Sequence, residues 1–126
     1  MQIYEHDTPE AISFKNNCVE LESWISHLRY IEKEISNLMN LGNTEFSTAM
    51  KYQSILVKLS QKLDENRTKL NALLRYKDSL PQVAECEDVD CDMFYVNEHE
   101  KFRKVYMYHL EKYRRVKEEY FNILLK

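Results

Sequence analysis

The stretch ECEDVDCDMF, Glu85 to Phe94, holds two cysteines and five acidic side chains without one basic residue. Three chemistries use such residues. Read as a calcium loop, Asp88, Asp90 and Asp92 take positions one, three and five of an EF-hand register. The register then fails. Position six needs glycine and has Met93, and position twelve needs a bidentate glutamate and has His99, with Glu98 one place early. An EF-hand is excluded, and only a loose divalent-cation site survives that reading. Read as a zinc site, Cys86 and Cys91 stand at C-x4-C spacing, at the edge of usual ligand spacing. Cys18, His6 and His99 would complete the ligand set if folding brought that end of the first helix beside the connection. Read as a redox pair, the two thiols are surrounded by carboxylates, which raise a thiol pKa and slow thiolate attack. A dithiol oxidoreductase is disfavoured, while a structural or regulatory disulfide stays open. An odd count of three cysteines argues weakly against a secreted disulfide scaffold and for a reducing cytosol.

A second group of reactive types lies further along the chain. His99, Tyr106, Tyr113 and Tyr120 recur every seven residues, and His109 falls between them. His109, Tyr106 and Cys18 would supply a base and a nucleophile. Yet the single glycine, Gly42, provides neither an oxyanion-hole turn nor a close backbone approach to substrate. The same scarcity excludes a Walker A loop and a dinucleotide fingerprint. A di-iron carboxylate bundle needs Glu-x-x-His. Three residues before the four histidines stand Ile3, Trp24, Val96 and Tyr106. No enzyme activity and no cofactor are expected. The basic run KFRKVYMYHLEKYRRVK offers Lys101, Arg103, Lys104, Arg114, Arg115 and Lys117 to a nucleic-acid backbone. Against that, the net charge is -3 and the tyrosines of the run occupy a core stripe.

The elements that must position these groups are helices. Leu21, Trp24, Leu28, Ile31, Ile35 and Leu38 step by three and four, with Cys18, Ile25 and Met39 widening the stripe. A second stripe runs Ala49, Tyr52, Leu56, Leu59, Leu63, Asn66, Leu70, Leu73, Lys77, Leu80. A third joins His99, Phe102, Tyr106, His109, Tyr113, Val116, Tyr120 and Ile123. Thr8-Pro9-Glu10 suits a helix start, Gly42 a left-handed stop, and Pro81 the end of the second helix. Asn43 or Thr44 would cap the second helix. Asn97 with Glu100, or Asp92 a turn earlier, would start the third.

These spacings predict an all-α, up-down-up antiparallel three-helix bundle with long coiled-coil-like helices at about 9–41, 44–79 and 92–125. Residues 1–126 form one domain, with an N-terminal tail over 1–8 and an acidic inter-helix loop over 80–91. Met50, Val57, Leu74, Tyr76, Met107 and Tyr108 lie off the stripes, so self-association to a homo-oligomer is plausible.

Antiparallel registration places Asn66 level with Tyr106 and His109, and near Cys18 or Leu21. A buried polar layer of Asn66 with Tyr106 or His109 is expected there, fixing helix register. On that reading Asn66→Leu raises thermal stability or alters the oligomeric state. The N-terminus lacks a signal-peptide pattern, and no apolar run is long enough to span a membrane. The sequence therefore favours a cytoplasmic, non-enzymatic bundle acting as a protein–protein interaction scaffold or adaptor. Nucleic-acid association through the third helix is the second reading, and metal binding in the 85–99 region the third.

Overall fold

The structure, a computed structural model, describes residues 9–45, 50–84 and 89–125. They form three helices: α1 (Pro9–Glu45), α2 (Met50–Ala84) and α3 (Val89–Leu124). At 37, 35 and 36 residues, each helix spans roughly 55 Å at about 1.5 Å per residue. α1 packs along α2 and α2 along α3, while α1 and α3 approach less closely. Contacts fix the directions. Glu32 meets Arg67 and Glu22 meets Lys77, so α1 and α2 are antiparallel. Lys58 meets Glu119 and Tyr76 meets His99, so α2 and α3 are antiparallel too. The bundle is all-α and up-down-up, as the stripes require.

The core reflects those stripes. Leu21, Trp24, Ile25, Leu28, Ile31, Ile35 and Leu38 of α1 are buried against Tyr52, Ile55, Leu56, Leu59, Leu70 and Leu73 of α2. α3 brings Tyr106, Leu110, Tyr113 and Tyr120. The α1–α2 seam is thus mainly aliphatic and close, and the α3 side is aromatic and wider, because tyrosine spans more distance than leucine. Two positions of the second stripe exchange roles. Tyr76 is buried, whereas Lys77 is exposed and pairs with Glu22 at 2.7 Å. Tyr76 stacks on Phe102, centroids 4.4 Å apart and planes 3° from parallel; that gain draws the ring inward.

The helices extend past the expected ends. Gly42 is not a left-handed stop: it is buried inside α1, and no residue among those described has a positive φ. A Cβ built at Gly42 would lie 2.8 Å from Leu56 Cδ2. Glycine at this position lets the Leu56 side chain of α2 pack directly on the α1 backbone; the chain does not turn there. Residues 43–45 continue α1 rather than capping α2. Pro81 lies within α2, which runs on to Ala84. A proline so near a helix end forfeits one backbone bond without ending the helix. α3 begins by Val89, so Asp92, Asn97 and Glu100 are inside it and do not cap it. Most of the expected 80–91 loop is therefore helical; Thr8, Ala49, Cys86 and Asp88 lie outside the described residues.

Candidate functional site

The reactive residue types face inward and bond across helices. His99 of α3 is 2% exposed, and both ring nitrogens are engaged. Nε2 lies 2.7 Å from Glu20 Oε1 of α1, and Nδ1 lies 2.6 Å from the Tyr76 hydroxyl of α2. An ionised carboxylate only accepts, so Nε2 carries the proton. In the neutral ring the Tyr76 hydroxyl then donates to Nδ1. Trp24 stacks over the imidazole at 4.9 Å. Arg103 closes the chain with two bonds to Glu20, Nε to Oε2 at 3.0 Å and an Nη to Oε1 at 2.5 Å, and also meets Glu100. The Arg103 bonds, aided by His99, hold the Glu20 carboxyl below its ordinary range despite partial burial. Burial and the negative neighbours Cys18 and Glu20 push the Tyr76 hydroxyl up to about 12.

One level along, Asn66 is wholly buried. Its Nδ2 donates to the Leu28 carbonyl of α1 at 2.8 Å, and its Oδ1 lies 2.8 Å from His109 Nε2 of α3. The carbonyl can only accept, so the amide must face it with nitrogen. That leaves Oδ1 to accept from His109, whose proton is thereby placed on Nε2. Burial pushes His109 down to about 4, with Lys62, Lys69 and Lys112 adding repulsion and Glu65 opposing. The expected polar layer of Asn66 and His109 is present. Its α1 member is the Leu28 carbonyl rather than Cys18 or Leu21, and Tyr106 is not part of it.

Tyr106 belongs instead to a ladder between α1 and α3. Its hydroxyl pairs with His27 Nδ1 at 2.6 Å. A heptad on, the Tyr113 hydroxyl donates to Glu34 at 2.5 Å. His99–Glu20, Tyr106–His27 and Tyr113–Glu34 share one sequence separation, 79 residues. Glu20, His27 and Glu34 are themselves spaced by seven, a repeat in phase with that of α3. Tyr120 ends the series by donating to the Leu38 carbonyl at 3.0 Å. Burial pushes Glu34 up, but bonds from Lys117 and Tyr113 outweigh it and leave the carboxyl below its ordinary range. Burial, then the Glu34 bond, raises Tyr113. His27 is lowered by burial and by Arg114 against the pull of Glu34. Among the described residues no buried side-chain nitrogen or oxygen lacks a partner. The α1 repeat was the readable signal for these partners, and it was missed because glutamate on a helix ordinarily points to water.

The remaining candidates are dispersed. Cys18 is a free, partly buried thiol, raised by burial and by Glu22. It influences Tyr76 and stands ten residues before Leu28, about 15 Å along the helix; it is not beside His109. Cys91 is disulfide-bonded, and Cys86 and His6 lie outside the described residues. With Cys91 oxidised and His99 occupied at both nitrogens, those two do not form a zinc set. The described residues contain no cluster of three or more potential metal ligands. Of the six basic candidates on α3, Lys101 pairs with Glu98, Arg103 with Glu20, Arg115 with Glu111 and Lys117 with Glu34. Lys104 and Arg114 have no ion pair among the described residues.

Among the described residues the outer surface carries an apolar depression. It runs between α2 and α3 with a volume of about 260 Å³, lined by Ala72, Leu73, Phe102, Val105 and Tyr106 and flanked by Lys69, Arg75 and Lys101. It adjoins a second hollow that shares Ala72, Arg75, Glu98 and Phe102 and reaches Phe94. No family model, curated protein or solved structure matches this chain. No helix among the described residues is long and apolar enough to cross a membrane.

Proposed function

We propose that the protein is a non-enzymatic scaffold or adaptor that binds a protein partner through its helix faces. The observation that carries this reading is the division of labour between inside and outside. Every histidine and tyrosine that could do acid–base or nucleophilic work in the interior is bonded to another helix. The unsatisfied surface is an apolar groove with a charged rim. Groups locked to each other hold helices in place; a groove offers itself to another chain. Four α3 cations are already held by carboxylates, which leaves the nucleic-acid reading less free positive charge. The homo-oligomer belongs to the same proposal, because Met50, Val57, Met107 and Tyr108 are exposed.

A cytoplasmic setting completes the proposal, with the disulfide at Cys91 as the observation against it, since such bonds persist in oxidising compartments. Two measurements test the reading. Quantitative affinity capture from native lysate, with nuclease added, should return the same stoichiometric protein partner repeatedly. Loss of all captured protein on nuclease treatment would transfer the assignment to nucleic acid. Alkylation of acid-quenched protein should label all three cysteines if the compartment is reducing; one label would place the chain in an oxidising one.

A further inference from the structure

We propose that the α2–α3 groove is the seat of an acidic amphipathic helix from a partner protein, which turns the bundle locally into a four-helix one. The inference rests on the scaffold reading and names the partner's chemistry. Along α2, Thr68, Ala72, Arg75 and Ser79 border the groove, stepping by four, three and four. Along α3, Phe94, Glu98, Lys101 and Val105 border it with the same alternation, and Tyr108 extends the line. These are second stripes, distinct from those that build the core. Two antiparallel stripes of this period flanking a hollow form the geometry into which a further helix packs. Phe94 to Tyr108 covers about 21 Å of helix, which sets the occupant at about four turns.

The apolar part of the seat is real surface. Phe94 is 56% exposed, Val105 45% and Tyr108 61%, while Ala72 leaves the hollow that a larger residue would fill. The rim decides the occupant. Lys69 and Arg75 have no ion pair among the described residues, and the lining carboxylate, Glu98, is held by Lys101 at 3.1 Å. Three cations face one carboxylate, so the complementary helix carries acidic residues on both sides of its apolar stripe. A second copy of this chain fits less well. A two-fold contact sets a patch against itself, so a rim of three cations and one carboxylate would meet the same excess of cations.

The test uses labelled synthetic 18-residue peptides read by fluorescence anisotropy against the full chain. One carries leucine and phenylalanine at alternating three and four spacing with glutamate flanks; the second has the same apolar stripe with lysine flanks. A labelled DNA duplex is the third probe. The glutamate peptide should bind at least tenfold more tightly than either of the others. Lys69→Glu with Arg75→Glu should weaken it at least tenfold, and so should Ala72→Trp, with far-ultraviolet circular dichroism unchanged. The charge reversal covers the case in which the tryptophan perturbs folding. Equal binding of both peptides, tighter binding of the duplex, or no binding of the glutamate peptide at 1 mM would overturn the proposal. So would a sedimenting dimer that Ala72→Trp converts to monomer, which would assign the groove to a second copy. A natural partner captured equally by wild type and charge-reversed protein would sink the groove while leaving the scaffold reading intact. Capture of no partner would sink the scaffold reading itself.

Discussion

Lowering the pH from 7 to 5 forces a proton onto a histidine that the folded bundle keeps neutral. His109 is 2% exposed, bonded to a neutral amide, and approached by Lys62, Lys69 and Lys112 against the single carboxylate of Glu65. Its pKa falls from 6.5 to about 4 on folding. Between those values the unfolded chain binds more protons than the folded one, so stability is complete above pH 6.5 and drains away as the pH falls toward 4. At about 1.36 kcal/mol per unit the whole effect is roughly 3 kcal/mol, of which about 2 kcal/mol is lost between pH 7 and pH 5. His27, also lowered, moves stability in the same direction. The lowered carboxylates Glu20, Glu34 and Glu65 lose their contribution mainly below pH 4.5, beneath this window. Urea unfolding at the two pH values reads the loss as a shift in midpoint at constant slope. His109→Gln retains an N–H donor for Asn66 and cannot titrate here. Its stability should fall about 2 kcal/mol less than that of wild type over the same interval. Equal losses in the two proteins would refute the assignment of a neutral, desolvated His109.

The Asn66 layer reverses the expectation drawn from its sequence position, that Asn66→Leu raises thermal stability, because the buried His109 ring depends on the Asn66 amide oxygen. Asn66→Leu alone strands the His109 N–H in the core, so it should lower stability by about 1–3 kcal/mol. Asn66→Leu with His109→Leu removes both polar partners and should recover most of that loss, or exceed wild type; thermal melts of the three proteins decide. Gly42→Leu should cost about 1–3 kcal/mol by overpacking, because even its Cβ would press on Leu56. A variant as stable as wild type would mean that α1 and α2 separate easily at that end.

What was readable in the sequence was the periodic part. The aliphatic steps from Leu21 to Leu38 declare a helix face, since few other arrangements bury every third and fourth residue. Asn66 announced itself as a polar residue within an apolar stripe, and His109 followed from antiparallel counting. Its third partner did not follow, because a backbone carbonyl such as that of Leu28 has no side-chain signature. Gly42 and Pro81 misled for one reason: both were read as local punctuation, whereas their positions are set by neighbours and by helix length. Tyr76 and Lys77 exchanged places because one residue is about 100° of rotation, less than sequence spacing alone resolves. The basic face of α3 looked free in sequence; Arg103–Glu20 and Lys117–Glu34 exist only once α1 lies beside it, whereas Lys101–Glu98 and Arg115–Glu111 form within α3.

The α1–α3 ladder has an ambiguity built into its regularity. Sliding α3 by one heptad would set Tyr106 against Glu20, Tyr113 against His27 and Tyr120 against Glu34, and each hydroxyl would again meet an acceptor. By itself the ladder is a scale whose marks are alike, and it could be read one notch off. Asn66 supplies the mark that differs. In the slipped frame it would face Val116 in place of His109, leaving a buried amide oxygen without a donor. The repeated tyrosines thus confer cohesion but carry almost no information about alignment. One asparagine, off the repeat and on α2, which takes no part in the ladder, carries the information that selects a single structure from two that would otherwise be close in energy.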